Sequence, residues 1–208
     1  MSLVNALTND LNHFKEPFNH WTLENPLSET LIDEVYDIKF PEGDVIFDGT
    51  RAGDKTGNNL LSKLRVFITK ENSFDYPELH QLVKEMQSKE CTDLISKMLN
   101  RNLSNSFVRI EVIADKNGFW LEPHCDIKEK LMSSIVFVNL NDEPENLGTD
   151  FYDKKRTKVK TVPYKHNYGY FFTSGPNSWH GMEKKEIKKE RRCIQINYVT
   201  FETDWKVK

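Results

Sequence analysis

Two histidines and an aspartate in the second half of the chain have the residue types and spacing of a metal site. His124 and Asp126 lie two residues apart in strand-like sequence, so period-two alternation places both side chains on one face. His180 follows 56 residues after His124, beyond several strand-sized runs that can fold back beside the first pair. Two imidazoles and one carboxylate on one octahedral face leave three positions open, which is typical of catalytic ferrous iron.

A pair of arginines after the second histidine has the chemistry to bind an acid that chelates this metal. Arg191 and Arg192 lie 11 and 12 residues beyond His180 and begin a strand-like run. A guanidinium binds a carboxylate through two hydrogen bonds and stays charged when buried. Because adjacent strand residues point to opposite faces, only one of the two can point towards the metal.

The elements that must position these residues differ between the two halves of the chain. Residues 1–104 are predicted to be a helix-rich support region. One helix, capped by Ser28, is expected within Leu27–Asp37, and two more are expected between Pro77 and Asn100, split near Cys91 and Thr92. These segments supply support for the site rather than its chemistry.

The second half has the pattern of a β structure. Short runs of β-branched and aromatic residues are separated by Gly, Pro and Asn, and no helix of useful length divides them. This pattern favours an antiparallel barrel or sandwich. The clearest predicted strands are Phe107–Ala114, Met132–Leu140, Tyr168–Thr173 and Cys193–Phe201. The fold class is therefore α+β, with one domain over residues 1–208.

The composition narrows the class of partner and the cellular compartment. The 208 residues carry a net charge of −3, which disfavours a polyanionic partner such as nucleic acid. Three cysteines at wide spacing predict neither a disulfide framework nor a thiolate zinc site, as expected for a reducing cytoplasm. The sequence has neither a signal peptide pattern nor an apolar run of membrane-spanning length, so no membrane partner is predicted.

These motifs together resemble a known superfamily. The order HCD at 124–126, WHG at 179–181 and RRCIQINY at 191–198 is similar to that of the iron(II)- and 2-oxoglutarate-dependent dioxygenases, especially their prolyl-hydroxylase-like branch. The resemblance covers about residues 105–201. It implies a double-stranded β-helix, or jelly roll, over that region, with the N-terminal helices packed on the major sheet.

The resemblance also implies roles for particular residues. His124, Asp126 and His180 would bind Fe(II), and Arg191 would bind the C5 carboxylate of 2-oxoglutarate, with Arg192 as the other candidate. Asn139 falls near the position of the side chain that shares this carboxylate in the family. The implied reaction is hydroxylation of a C–H bond of an unidentified protein or small-molecule substrate. It uses dioxygen and releases succinate and CO2, and the resemblance allows ascorbate as a further cofactor.

Two rival functions use the same residues differently. In one, the β domain is a non-catalytic, cupin-like binding module with a structural or regulatory metal. In the other, it is a cupin-type isomerase or dioxygenase that needs no oxo-acid. Arg191 discriminates between them, because neither rival needs a buried cation near the metal.

Several other residues have weaker functional interpretations. Phe119, Trp120 and Trp179 either line a substrate pocket or pack in the core. Arg51, in the DGTRAG motif at 48–53, either binds an anionic substrate or lies in a turn. The charged run at 183–192 is predicted to be a solvated loop. His13, His20, His80 and His166 have no partner at ligand spacing and are predicted to be ordinary surface or half-buried histidines.

Overall fold

Two antiparallel sheets and four α-helices make up the described part of the chain. A computed structural model describes residues 3–40 and 64–208. Arg51 and its motif lie outside the described residues, so their role stays a prediction. None of the helices within the two described stretches has the length and apolar character that crossing a bilayer requires.

Serine hydroxyls cap two of the four described helices. They are α1 (Leu3–Asn9), α2 (Glu29–Asp37), α3 (Pro77–Gln87) and α4 (Lys89–Leu99). Ser28 caps α2 as predicted, since its hydroxyl accepts a hydrogen bond from the backbone N–H of Leu31 at 3.3 Å. The predicted split near Cys91 and Thr92 is wrong by about three residues. The chain breaks at Ser88, whose hydroxyl accepts from the N–H of Cys91 at 3.2 Å and so caps α4.

Twelve strands are described, and three of them come from the N-terminal region. The strands are β1 (Leu11–Phe14), β2 (His20–Glu24), β3 (Arg65–Phe67), β4 (Phe107–Asp115), β5 (Leu121–His124), β6 (Lys130–Phe137), β7 (Thr149–Tyr152), β8 (Lys158–Val162), β9 (Tyr168–Phe172), β10 (His180–Met182), β11 (Arg191–Val199) and β12 (Trp205–Lys206). The prediction of helices alone before residue 105 therefore missed β1, β2 and β3.

The strands divide between a large and a small sheet. The large sheet has the order β1-β2-β9-β6-β11-β4-β12, with β3 paired to β4, and the small sheet has the order β5-β10-β7-β8. From β4 to β11 the chain passes repeatedly from one sheet to the other. This alternation brings the small sheet, which carries both candidate histidine ligands, opposite the inner face of the large sheet.

Strand β11 shows how the two faces of the large sheet differ. Ile194, Ile196 and Tyr198 belong to the hydrophobic core shared with the helices, and the Tyr198 hydroxyl donates to the carbonyl of Met86 at 2.6 Å. The residues of opposite parity face the other way, into a cavity between the sheets. Arg191, Cys193 and Gln195 line this cavity. Strand alternation thus places a polar row on the inner face and an apolar row against the helices.

Candidate active site

Pairing of two short strands brings the candidate histidines together. His124 on β5 and His180 on β10 are direct partners in the antiparallel ladder, and their ring centroids are 4.4 Å apart. Gly181 permits this approach, because a Cβ at that position would lie 2.6 Å from the carbonyl oxygen of Leu121. The 56-residue separation in sequence is therefore closed by one pair of strands.

The candidate carboxylate ligand lies just beyond the end of β5. Asp126 is held from β6, where the Lys130 ammonium donates to its Oδ1 at 2.8 Å and the Ser133 hydroxyl donates to its Oδ2 at 2.5 Å. The same Oδ2 lies 3.7 Å from Nε2 of His180. These two donors fix the carboxylate beside the imidazoles.

The donor atoms of the three residues have the arrangement and protonation that a divalent cation requires. One ligand atom from each of His124, Asp126 and His180 lies within 4.8 Å of the other two. Nδ1 of His124 bonds to the carbonyl of Glu122 at 2.8 Å, and Nδ1 of His180 bonds to that of Ser178 at 2.9 Å. Since a carbonyl only accepts, each Nδ1 carries a proton, and Nε2 is the ring nitrogen of each histidine that a metal would bind.

The electrostatics around Asp126 keep this carboxylate ionised. Burial by itself raises the pKa of Asp126, but the charges of His180 and Lys130 and the hydrogen bonds from Lys130 and Ser133 together lower the pKa below its usual range. Metal ligation by a carboxylate needs the deprotonated form. The donor set of two imidazoles and one carboxylate therefore fits the Fe(II) that the sequence resemblance implies.

The cavity between the sheets contains all three candidate ligands and Arg191. Arg191 is 4% exposed and is held by three groups. Its Nε donates to the carbonyl of Leu147 at 2.6 Å, Nη1 pairs with Asp115 at 2.5 Å, and Nη2 donates to the Thr149 hydroxyl at 3.4 Å. Burial lowers the pKa of Arg191, but the charge of Asp115 and the smaller effects of Cys193, Tyr170 and Tyr164 together raise it. A permanent cation thus lies in the same cavity as the candidate ligands.

Arg192 points away from this cavity, as strand alternation requires. Its guanidinium pairs with Glu190 at 2.6 Å and donates to the carbonyls of Val35, at 2.9 Å, and Tyr36 in the last residues of α2. A cation at the C-terminal end of a helix compensates for the unpaired carbonyls there. Of the two arginines that the sequence offered, only Arg191 lines the cavity.

Asn139 is not placed as predicted. Strand β6 ends at Phe137, so Asn139 falls in the following loop, and its amide group donates to the carbonyls of Glu143 at 2.9 Å and Tyr164 at 3.0 Å. It is not among the residues that line the cavity. Its side chain shapes a loop instead.

Two hydroxyl side chains that the sequence analysis missed lie beside Arg191. The Tyr170 hydroxyl donates to that of Thr149 at 2.9 Å, and both residues line the cavity. Tyr170 lies on β9 and Thr149 on β7, so neither is on the strand after HxD where the resemblance directed the search. The strand prediction over Tyr168–Thr173 contained the signal for Tyr170, because a buried tyrosine needs a partner for its hydroxyl.

The remaining predictions for aromatic and charged residues have mixed outcomes. Phe119 lines the cavity, whereas Trp120 and Trp179 are not among its lining residues. The charged run at 183–192 is more buried than predicted, since Ile187 is buried and the run ends in two buried arginines.

His20 is fully buried and was wrongly predicted to be an ordinary surface or half-buried histidine. Its Nδ1 donates to the carbonyl of Phe18 at 2.8 Å, and its Nε2 lies 3.0 Å from the Lys160 ammonium. Burial is the main cause of its pKa being lowered to about 4, and the charge of Lys160 lowers it further. His20 is therefore neutral at ordinary pH.

Comparisons with known proteins identify the fold. No protein-family model matches the sequence, and neither does any curated protein. A prolyl 4-hydroxylase structure from Phytophthora capsici superposes with a TM-score of 0.61 at 12% identity, over 95% of this chain and 64% of that one. A Trichoplax adhaerens prolyl hydroxylase, solved with a peptide of the hypoxia-inducible factor oxygen degradation domain, gives 0.56 at 17% identity, over 95% of this chain and 87% of that one.

A third solved structure extends the range of activities that share this fold. The non-heme alpha-ketoglutarate-dependent epimerase SnoN, from nogalamycin biosynthesis, superposes with a TM-score of 0.51 at 11% identity, over 95% of this chain and 80% of that one. The chain therefore has the fold of the Fe(II)- and 2-oxoglutarate-dependent oxygenases. The predicted resemblance to their prolyl-hydroxylase-like branch is confirmed at the level of the fold.

Proposed function

We propose that this protein is an Fe(II)- and 2-oxoglutarate-dependent oxygenase that hydroxylates a C–H bond of a protein or small-molecule substrate. One observation carries the proposal: a single cavity contains two imidazoles, an ionised carboxylate and a buried arginine. The first three groups suit an open ferrous site, and the fourth suits the distal carboxylate of a chelating oxo-acid.

The strand order supports a jelly-roll assignment for the part of the chain that carries this site. Strands β4, β6, β9 and β11 lie in the large sheet, and β5, β7, β8 and β10 lie in the small one. We assign these eight strands as the double-stranded β-helix. In this arrangement the histidines project from the small sheet and Arg191 from the large one, so the two sheets together enclose the site.

The metal would be held by Nε2 of His124, Nε2 of His180 and the carboxylate of Asp126. Fe(II) held there would supply the oxidative chemistry, with 2-oxoglutarate as its chelating ligand and the overall conversion of 2-oxoglutarate, O2 and R–H into succinate, CO2 and R–OH. Lys130 and Ser133 orient the carboxylate ligand through their hydrogen bonds. The carbonyls of Glu122 and Ser178 orient the imidazoles in the same way.

Arg191 would bind the C5 carboxylate of 2-oxoglutarate. A guanidinium has five N–H donors, and the contacts to Leu147, Asp115 and Thr149 use three of them. The two others remain for a ligand carboxylate. Thr149 and Tyr170 lie beside Arg191 and can share that carboxylate through their hydroxyls. Ascorbate stays a prediction from the resemblance alone.

The buried arginine also favours this proposal over the two rivals. A cupin-like binding module or an isomerase that needs no oxo-acid gains nothing from a guanidinium enclosed in the metal cavity. Burying a charge costs free energy unless it is paired and hydrogen-bonded, and Arg191 has N–H donors beyond those that its contacts with Leu147, Asp115 and Thr149 use. Because an epimerase shares the fold, the fold alone does not select hydroxylation. We propose it as the usual reaction of the Fe(II)- and 2-oxoglutarate-dependent oxygenases.

Anaerobic titration with Fe(II) and 2-oxoglutarate tests the proposal. We expect the weak visible charge-transfer band of a chelated complex, and we expect His180→Ala to abolish it while His166→Ala, at an exposed histidine, retains it. Arg191→Ala should weaken 2-oxoglutarate binding by about 3 kcal/mol, roughly a hundredfold, with metal binding retained. Absence of the band at saturating ligand, or an equal effect of Arg192→Ala, would contradict the assignment.

A further inference from the structure

A row of alternating charges extends along the cavity from the proposed 2-oxoglutarate end to the opposite end. Asp115, Glu111 and Arg109 share one face of β4, and Arg65 joins them from β3. Arg65 pairs with Glu111 at 2.7 Å, and Arg109 lies 3.3 Å from the other oxygen of the same carboxylate. One buried carboxylate is therefore shared by two guanidinium groups.

The charges of this cavity do not cancel. Among the described lining residues, four are arginine or lysine and three are aspartate or glutamate. Asp115 pairs with Arg191, Asp126 with Lys130, and Glu111 most closely with Arg65. The charge left over is that of Arg109. Bound Fe(II) and 2-oxoglutarate dianion would add equal and opposite charges, so the surplus would persist in the loaded enzyme.

A second feature lies on the strand next to Arg109, at a residue that is buried behind the cavity wall and is not itself among the lining residues. Asn197 on β11 is the direct ladder partner of Arg109 and is 0% exposed. Neither its Oδ1 nor its Nδ2 has a hydrogen-bond partner. By strand parity Asn197 shares the inner face with Cys193 and Gln195, which line the cavity. Buried amides are almost always paired, so the Asn197 amide calls for a further partner, either a water molecule or a ligand group that reaches the strand beside Arg109.

We propose that Arg109 and Asn197 form a subsite for a carboxylate of the substrate. This inference rests on the proposed function and names its substrate class, which is an acid, whether a small molecule or an acidic side chain of a peptide. Arg109 is 23% exposed, so a ligand can reach it. Its guanidinium is positioned over the Phe67 ring at 4.9 Å.

The proposed subsite is separate from the 2-oxoglutarate end. Arg191 pairs across the ladder with Asp115, and Asn197 pairs with Arg109, six residues further along each strand. At about 3.4 Å per residue these ends are roughly 20 Å apart along the strands. A five-carbon diacid bound at Arg191 does not span this distance, so a second ligand has room at Arg109.

Matched pairs of an acid and its amide test the subsite in the protein loaded with Mn(II) and N-oxalylglycine. The probes are acetate against acetamide, and a blocked tripeptide with a central aspartate against the same peptide with asparagine. Saturable paramagnetic broadening of the probe resonances reports binding inside the cavity. We expect at least one acid to bind at least tenfold more tightly than its amide, and the pair that shows this preference identifies the source of the carboxylate.

Two variants and a control assign the effect to particular residues. Arg109→Gln should reduce acid binding at least tenfold, whereas Arg101→Gln, which removes an exposed arginine after α4, should change it less than twofold. Asn197→Leu is nearly isosteric and should reduce acid binding about threefold or more without lowering the urea midpoint of unfolding. An asparagine with a structural partner would instead lower the midpoint when replaced.

Other outcomes would overturn the inference. Equal binding of acid and amide in both pairs would do so, as would broadening by acetate that persists in Arg109→Gln and thus places acetate on the metal. An Asn197→Leu protein with a lowered midpoint and unchanged acid binding would remove Asn197 from the subsite. Failure of the proposed function is distinguishable, because N-oxalylglycine would then leave the water-proton relaxation of the Mn(II) protein unchanged.

Discussion

Asp115→Asn is expected to lower the stability of the apoprotein and at the same time tighten the binding of 2-oxoglutarate. Asp115 and Arg191 have side chains that are 6% and 5% exposed and form an ion pair at 2.5 Å. Removing one partner of a buried ion pair leaves the other charge uncompensated, which costs about 3–5 kcal/mol. With a urea m-value of about 2–3 kcal/mol/M, the unfolding midpoint falls by roughly 1–2 M.

The gain in ligand affinity has the same physical origin. In the wild-type protein the ligand carboxylate must share Arg191 with Asp115, whereas in the variant the ligand is the principal anionic partner of this guanidinium. A hydrogen bond to a charged group is worth about 1.5–3 kcal/mol, so affinity should rise roughly tenfold to a hundredfold. Calorimetric titration of the Mn(II) protein with 2-oxoglutarate measures this change, and urea denaturation of the apoprotein measures the loss of stability.

Two controls make the result specific to this pair. Asp93→Asn makes the same substitution in the exposed pair between Lys89 and Asp93, where both side chains are more than half exposed, and should cost less than about 0.5 kcal/mol. The double variant Asp115→Asn with Arg191→Gln should recover part of the lost stability, because no buried charge is left unpaired. If Asp115→Asn instead weakened 2-oxoglutarate binding as much as Arg191→Ala does, Asp115 would orient the guanidinium rather than compete for it.

Four further variants concern Tyr170, which lines the cavity, and Arg192, Asn139 and His20, which are not among its lining residues. Arg192→Ala should destabilise the protein by about 1–3 kcal/mol in urea, because it leaves carbonyls at the end of α2 unpaired, while 2-oxoglutarate affinity stays within twofold. Tyr170→Phe should weaken 2-oxoglutarate binding about twofold to tenfold in a titration. Asn139→Ala should lower the urea midpoint of unfolding and leave 2-oxoglutarate binding unchanged. The pKa of His20 is about 4 in the folded protein and 6.5 in the unfolded chain, so its contribution to stability is complete above pH 6.5 and is lost as the pH falls towards 4. In the His20→Gln variant the urea midpoint of unfolding should therefore depend less on pH between 4 and 6.5 than in the wild-type protein.

The candidate ligand set was the most predictable part of the candidate site. Residue type, order and strand context selected His124, Asp126 and His180, and the structure brings their donor atoms within 4.8 Å of one another. Strand parity correctly required that Arg191 and Arg192 point to opposite faces. Which of them faces the cavity depends on the absolute register of β11, and the residues alone do not set that register.

The supporting residues were less predictable because they depend on where strands end and which strands pair. Asn139 does not occupy the predicted strand position because β6 ends at Phe137, two residues before it. Asp115 carried no signal of its own, since its contact with Arg191 exists only through the pairing of β4 with β11. Thr149 and Tyr170 come from strands on different sheets, and a one-dimensional pattern does not show that they meet.

The neighbouring arginines of β11 also connect the cavity to a helix on the far side of the sheet. The Arg191 guanidinium lies among the groups proposed to bind the oxo-acid, and the Arg192 guanidinium donates hydrogen bonds to carbonyls in the final turn of α2. A ligand that immobilises the first therefore steadies the backbone from which the second projects. Amide hydrogen exchange at the end of α2 should slow when 2-oxoglutarate binds, although no atom of that helix lines the cavity.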